Sequence, residues 1–167
     1  CLQMDGQSRE FSLRDVFIHA HEIRSIETND ILATASIYRL LLAILHRNFD
    51  TSGLPAWGEL WQAGRWDPGV LTNYLQRWET RFDLFDPIHP FYQMADDRVE
   101  KRSISRFYPG MAAASFFNHS AQMEELYLSP AEAARQLLVS QTFGLMGICH
   151  PQKKLFYNSS PWVIGMV

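Results

Sequence analysis

Cysteine is rare in this sequence of 167 residues, which contains only Cys1 and Cys149. Neither residue belongs to a C-x-x-C pair, so the sequence gives no support to a zinc ribbon. Two isolated cysteines also argue against a disulfide framework of the kind that stabilises small secreted domains. We therefore expect a protein of the cytoplasm.

Long apolar runs are missing as well. The longest candidate, Leu40–Leu45, lies between Arg39 and His46 and is far shorter than the roughly 18 to 20 residues of a membrane span. The polar N-terminal stretch CLQMDGQSRE lacks the apolar core of a signal peptide, and we predict no membrane association. Because the sequence opens without methionine and stops at a Gly-Met-Val that no cap or turn explains, we expect it to be incomplete at both ends.

The sequence has no surplus of positive charge, since its net charge is −3. This argues against a free-standing nucleic-acid-binding protein. The charge is uneven, however: residues 1–97 contain 8 Lys/Arg and 14 Asp/Glu, whereas residues 98–167 contain 7 and 4. Any contact with a polyanion should therefore involve the second part. Ordinary variation of the surface is the alternative explanation of so small an imbalance.

Apolar periodicity and cap residues predict a mainly α domain with a small amount of β structure. The sequence is long enough for a single domain with a substantial core. The first ten and last ten residues suggest weak strand or loop, and any small sheet is expected at these two ends. The predicted helices run from Ser12 to about Ser25, from Asp30 to Phe49, from Pro55 to Gly64, from Asp67 along an apolar face to Phe82, and from Ser129 to about Gly144.

The second of these helices has a wide apolar stripe, which predicts a central buried helix. The stripe consists of Ile31, Leu32, Ala35, Tyr38, Leu41, Leu42, Leu45 and Phe49.

An aromatic and proline-rich segment, Arg81–Gln93 (RFDLFDPIHPFYQ), is the most unusual stretch of the chain. Alternation of apolar and polar residues in its first half is compatible with a short strand. Pro87 and Pro90, however, remove backbone donors and disfavour helix in the residues before them. We predict an ordered loop anchored by its aromatic rings. Six rings of this region and of the helices before it should be mostly buried: Trp57, Trp61, Trp78, Phe82, Phe85 and Tyr92.

No residue pattern supports an enzyme. The sequence has no nucleophile elbow, phosphate-binding loop or dinucleotide fingerprint. His19 and His21 would point about 200° apart on a helix, whereas His19 and Glu22 could share a metal ion at i and i+3. A hydrolase that uses these two residues with His46 is one alternative, although hydrogen-bonded structural histidines explain the pattern better. We predict no cofactor and no metal.

A second unusual stretch, Ala112–Ser120 (AAASFFNHS), combines two aromatic rings with Asn118 and His119. Basic residues precede it, among them Arg102 and Arg106. Cationic side chains interleaved with aromatic rings suit nucleotide phosphates and stacked bases. The alternative is that Phe116 and Phe117 only anchor a loop in the core.

Five blocks of the sequence resemble, in the same order and spacing, the large-subunit (CasA) family of type I-E CRISPR surveillance complexes, called Cascade. They are SLRDVFIHAHEIRSI at 12–26, RLLLAILHRNF at 39–49, LWQAGRWD at 60–67, RFDLFDP with PFYQ at 81–93, and LSPAEAARQLLVSQTFGLMG at 128–147. The blocks cover most of the chain. The resemblance implies part of the N-terminal domain of such a subunit (residues 1–167) without the C-terminal helical bundle.

The resemblance also assigns a role to the segment around Asn118. In the family an extended loop reaches toward the 5′ handle of the guide RNA and the protospacer-adjacent motif, and its core is an aromatic residue, one apolar residue and asparagine. Phe116, Phe117 and Asn118 match that order. His119, Arg102 and Arg106 are predicted to contribute to the same surface.

A glycine-rich loop after the last predicted helix is the family's second DNA-contacting element. Gly144 and Gly147 occupy its place, but bulkier residues replace the additional glycines. Fewer glycines leave less room for the backbone to approach DNA, so motif recognition could be altered here. Lys153 and Lys154 could supply phosphate contacts, although adjacent lysines are more often only solvated.

The resemblance implies a non-enzymatic function within a multisubunit ribonucleoprotein. The partners would be the other Cascade subunits, the guide RNA, double-stranded target DNA and the nuclease-helicase that docks on the subunit. Because guide pairing reads the long sequence, the protein needs to read only a short motif. The alternative within the family is a helical scaffold subunit that does not read the motif.

Overall fold

Short helices joined by tight connections make up most of the described part of the protein. The structure is a computed structural model that describes residues 1–49, 53–93 and 127–143. The chain folds into two compact units, Cys1–Asp83 and Leu84–Val167. None of the described helices has both the length and the hydropathy needed to cross a membrane. The fold agrees with the predicted class, mainly α with a little β.

The β structure of the first unit is one small antiparallel sheet. Strand β1 (Leu2–Gln3) pairs with strand β2 (Ile23–Ser25), and Leu2 lies opposite Ser25. The prediction of a strand in the first ten residues is confirmed. The partner of that strand is nevertheless only about twenty residues away, and the last ten residues, for which weak strand or loop was also predicted, lie outside the described part.

Helix α1 (Leu13–Ile18) begins as predicted and ends earlier than predicted. The backbone N–H of Asp15 donates to Ser12 Oγ at 3.1 Å, and this bond caps the first turn. The helix stops at Ile18, and a 3₁₀ turn over Ala20–Glu22 leads directly into β2. The expected continuation to Ser25 is wrong because residues 23–25 pair with β1 instead, so tertiary pairing overrides local helical tendency.

Helix α2 (Ile31–Asn48) is the longest described helix, and its predicted boundaries are confirmed. Asp30 caps it by accepting a hydrogen bond from Leu32 N at 2.9 Å. Its buried positions are Ala33, Ser36, Leu41 and Ile44. The predicted burial of the whole stripe is wrong, because Ile31, Leu32, Ala35, Tyr38 and Leu42 lie on exposed parts of the helix.

Two helices of ten residues follow. The first ends where expected, whereas the second ends at Arg77 and not at the predicted Phe82, because residues 79–82 form a separate 3₁₀ turn. Helix α3 (Leu54–Ala63) ends at Gly64, whose φ of +66° is a left-handed conformation that suits glycine. Helix α4 (Pro68–Arg77) starts after Asp67, which accepts a hydrogen bond from Gly69 N at 2.8 Å. A 3₁₀ turn over Glu79–Phe82 completes the first unit.

The core of the first unit is built from α1, α2, α4 and the segment after β2. Helix α4 packs against both α1 and α2. Its Leu71 is only 1% exposed and forms one cluster with four other buried side chains, Phe17, Ile26, Leu41 and Ile44.

The prediction that six aromatic rings are mostly buried is wrong. Trp78 and Phe82 are half-buried, while Trp57, Trp61, Phe85 and Tyr92 are exposed. The cluster at the centre of the first unit contains aliphatic side chains and Phe17, and it leaves the tryptophans of α3 outside. Aromatic content indicated that these segments have apolar surface, but did not indicate which side would be covered.

Candidate functional site: the frame of the second unit

All ten residues predicted to contact nucleic acid lie outside the described residues: Arg102, Arg106, Phe116, Phe117, Asn118, His119, Gly144, Gly147, Lys153 and Lys154. They belong to two segments, 94–126 and 144–167. The structure describes the residues that flank these segments, which are Gln93 and Tyr127 for the first and Phe143 for the second. The frame that carries the candidate site consists of residues 84–93 and 127–143.

The loop Leu84–Gln93 is ordered by its own side chains, as predicted. Asp86 accepts hydrogen bonds from the backbone N–H groups of Ile88 (2.9 Å) and His89 (2.6 Å), which form a tight turn. The side chain of Gln93 donates to Leu84 O at 3.0 Å and thus ties the two ends of the loop together. No residue of this loop lies in a strand.

Aromatic rings fix the end of the loop. Phe91 is buried (8% exposed), and its ring meets that of Tyr92 edge-on, with centroids 4.9 Å apart. Tyr92 has a φ of +53°, in the left-handed region that residues other than glycine rarely adopt. A conformation of this kind persists only where the surrounding contacts hold it. The backbone direction at Tyr92, two positions before residue 94, is therefore set by specific contacts.

Helix α5 (Pro130–Phe143) forms the other half of the frame. Ser129 and Glu132 make a reciprocal capping box: Ser129 N donates to Glu132 Oε2 at 2.9 Å, and Glu132 N donates to Ser129 Oγ at 3.3 Å. The Ser129 hydroxyl also donates to Glu132 Oε2 at 2.6 Å. This hydrogen bond and the one from Ser129 N, with a smaller contribution from Arg135, lower the pKa of Glu132 below its ordinary value of about 4.5. The sequence predicted this capping box; the predicted end of the helix near Gly144 lies outside the described residues.

A hydrogen bond between the two halves holds the frame together. Gln141 Nε2, in the last turn of α5, donates to the backbone oxygen of Tyr92 at 3.2 Å. Residue 94 follows Tyr92 by two positions, and residue 144 follows Gln141 by three. The starting points of the two candidate segments are thus held close together, although they are about fifty residues apart in the sequence. No local pattern in the sequence marks this pair, so the contact could not be predicted.

We expect Gln141→Ala to loosen the end of the loop. Because the variant loses one hydrogen bond worth about 0.5–1.5 kcal/mol, amide hydrogen exchange at Tyr92 and Gln93 should become about two- to tenfold faster. Gln136→Ala is the matched control, since Gln136 lies on the same helix and its side chain makes no hydrogen bond among the described residues. Equal exchange rates in both variants would contradict the proposed role of the Gln141–Tyr92 contact.

We expect Ser129→Ala to destabilise α5 by about 1 kcal/mol through loss of the N-cap. Because the pKa of Glu132 is lowered in the folded protein, the stabilisation by its ionised form is present above about pH 4.5 and is lost as the pH falls through the lowered pKa. The difference in stability between wild type and variant should therefore shrink in acid. Ser140→Ala, the same change within the helix, is the control; an equal effect of both substitutions at neutral pH would argue against the capping box.

The histidines singled out by the sequence lie in the first unit. Because α1 ends at Ile18, His19 and His21 do not lie on one helix as expected, and both rings approach Glu22. His19 Nδ1 is 3.1 Å from Glu22 Oε2, and His21 Nε2 is 3.5 Å from Oε1. His46, the third member of the hydrolase alternative, packs edge-on against Trp57. Within the described ranges no group of three or more His, Cys, Asp or Glu residues is arranged to hold a metal ion.

Comparison with known proteins gives a consistent result. Residues 1–166 match the family described as CRISPR-associated protein Cse1. The chain is 34% identical over 151 residues to a CRISPR-associated protein CasA/Cse1 of Thermus thermophilus, covering 86% of this chain and 30% of that protein.

Solved structures agree with this match. The Cse1 structure from Acidimicrobium ferrooxidans has a TM-score of 0.70 and 32% identity, over 85% of this chain and 26% of that one. A chain of a CRISPR RNA-guided surveillance complex has a TM-score of 0.68 and 26% identity, over 82% of this chain and 31% of that one. The sequence thus spans about a third or less of the length of the proteins that it matches.

Proposed function

The chain belongs to the CRISPR-associated Cse1 family, and we propose that it functions as a non-catalytic part of an RNA-guided DNA surveillance complex. In this proposal it contacts the 5′ handle of the guide RNA and recognises the protospacer-adjacent motif of double-stranded target DNA. The assembled subunit also serves as the docking platform for the nuclease-helicase. Its location would be cytoplasmic.

One structural observation supports this proposal beyond family membership. The hydrogen bond from Gln141 to Tyr92 holds together the points from which segments 94–126 and 144–167 begin. Reading a short duplex motif requires that several protein groups reach one stretch of DNA at the same time. Two segments that start from a common frame meet that requirement better than two segments on unrelated elements.

Charge supports the same assignment. Residues 98–167 contain 7 Lys/Arg against 4 Asp/Glu, whereas the preceding part carries an acidic surplus. Contacts to phosphates supply much of the affinity of proteins for nucleic acids. The candidate segments, with Arg102, Arg106, Lys153 and Lys154, therefore lie in the part of the chain that a polyanion would favour.

The aromatic and amide side chains give the proposed site its selectivity. Phe116 would stack on a base of the handle or seat the loop beside it, and Asn118 would exchange hydrogen bonds with a base or sugar edge. Phe117 and His119 would belong to the same nucleic-acid-binding loop. Gly144 and Gly147 would let the backbone of the second segment approach the minor groove.

Target binding by the assembled complex, prepared with and without this subunit, tests the proposal. A library of short motifs beside a constant target sequence should show a clear preference only when the subunit is present. Equal affinity and equal motif dependence in both preparations would overturn the proposal. Tighter binding without any motif preference would support the alternative, a scaffold subunit, which the small number of glycines after α5 favours.

A further inference from the structure

A cleft in the first unit lies between the end of α3 and the 3₁₀ turn over Ala20–Glu22. Four side chains with polar or aromatic groups contribute to its walls: His21, Trp61, Arg65 and Trp66. Its volume is about 260 Å³, slightly below the roughly 300–1,000 Å³ of pockets that hold drug-sized ligands. We call it the α3 cleft. A space of this size suits one ring system with a charged substituent.

The α3 cleft has hydrogen-bond donors without acceptors in its walls. Trp66 Nε1 is buried and makes no hydrogen bond within the described residues. The guanidinium of Arg65 has no hydrogen-bond or ion-pair partner there either. Because buried polar groups are nearly always paired in folded proteins, the acceptor that the Trp66 N–H lacks can come from a group held in the cleft. The walls therefore favour an occupant that supplies acceptor oxygens and negative charge.

The acidic surplus of residues 1–97 does not supply a carboxylate to this place. Glu22 faces two histidine rings at 3.1 and 3.5 Å, and Asp67 caps α4. Glu59 is exposed and lies about 160° away from Trp61 around α3. Among the described residues, Arg65 therefore has no competing carboxylate within ion-pair distance, and it remains available to an anion that enters the α3 cleft.

Two indole rings add an aromatic surface beside these donors. The ring of Trp66 is held in place by that of Phe49, with centroids 6.4 Å apart, whereas Trp61 is 86% exposed and has a face open for stacking. An unpaired nucleotide matches this combination, because its base stacks on an aromatic ring and its phosphate binds a cation. An acidic side chain of a protein would pair with Arg65 but would leave the ring of Trp61 uncovered.

We propose that the α3 cleft binds one unpaired nucleotide of the guide RNA or of a target DNA strand. The base stacks on Trp61, the phosphate contacts Arg65, and an acceptor atom of the nucleotide receives the N–H of Trp66. This inference rests on the proposed function in one respect, that the subunit works in an RNA-guided complex, and it does not depend on motif recognition. The cleft belongs to the first unit, whereas the residues proposed for the handle and the motif all belong to the second.

Photo-crosslinking in the assembled, target-bound complex tests the proposal. Three preparations carry 5-iodouracil in place of every uracil or thymine of one strand: the guide RNA, the paired DNA strand or the other DNA strand. Irradiation joins this base to an aromatic ring that stacks on it, and mass spectrometry identifies the peptide and the strand. Trp61→Leu removes the stacking ring at an exposed position, and Glu59→Gln is the matched control on the far side of α3.

We expect at least one labelled strand to crosslink to the peptide that contains Trp61. Trp61→Leu should abolish that product and Glu59→Gln should leave it unchanged. Arg65→Gln should lower its yield about two- to tenfold, because the phosphate loses one partly screened cation.

Two results would overturn the proposal. One is a complex that binds its target normally but gives no crosslink at Trp61 from any strand, as expected if a protein segment fills the cleft. The other is a crosslink to this peptide that persists in Trp61→Leu. A complex that shows no motif preference but gives the Trp61 crosslink would overturn motif recognition alone, so the two proposals fail separately.

Discussion

Replacing Phe116 by alanine is expected to weaken target binding by the assembled complex about ten- to a hundredfold. The proposed role of the ring is to stack on a base of the guide handle or to seat the loop beside it. Stacking of one base on an aromatic side chain contributes about 1–3 kcal/mol, which corresponds to that range of affinity. Binding should be measured with the complex at a fixed salt concentration, because phosphate contacts depend on salt.

Asn118→Ala separates recognition from packing in the same experiment. If the segment contacts nucleic acid, Phe116→Ala and Asn118→Ala should both weaken target binding by the complex. The melting temperature of the subunit should then stay close to that of the wild type. A core phenylalanine replaced by alanine would instead cost a similar free energy in folding. A large fall in melting temperature for Phe116→Ala, together with wild-type binding by Asn118→Ala, would contradict the proposed role of this loop.

Leu71→Ala is expected to lower the free energy of unfolding by about 2–5 kcal/mol. Leu71 is 1% exposed and lies in the cluster that joins α4 to α1 and α2. Removal of three side-chain carbons leaves a cavity that the surrounding helices can fill only in part. Urea denaturation followed by tryptophan fluorescence would measure the loss, since four of the five tryptophans belong to the first unit.

Val70→Ala is the matched control for that substitution. Val70 precedes Leu71 on the same helix but is 38% exposed. Surface substitutions of this kind change stability by about 0.5 kcal/mol or less. The structure shows Leu71 buried and Val70 exposed. A similar loss of stability in both variants would contradict that difference in burial.

Local sequence signals predicted where the helices start, whereas α1 and α4 end earlier than predicted. Ser12, Asp30, Asp67 and Ser129 cap the helices that they were expected to cap, and Gly64 ends α3. Caps are predictable because the side chain bonds to a backbone group only two or three residues away. The family resemblance was equally accessible, because it depends on the order of residues and not on their arrangement in space.

Predictions that required knowledge of neighbours were less accurate. The helix from Ser12 ends before Ser25 because β1 recruits residues 23–25 into a sheet. The rings of Trp61 and Phe85 are exposed even though aromatic side chains of this size are usually covered. Periodicity identifies an apolar side of a helix, but the position of other elements decides whether that side is covered.

The sequence by itself determined the helix caps, the ordered loop from Leu84 to Gln93, the segments that carry the candidate nucleic-acid residues and membership of the Cse1 family. Only the tertiary structure decided that Gln141 bonds to the backbone of Tyr92, that Leu71 lies in the core of the first unit and that Leu54 and Trp61 of α3 are exposed. The physical reason is how far apart in the sequence the contacting residues lie. Caps and turns arise from contacts within a few residues, whereas burial and the pairing of distant residues depend on how whole elements pack.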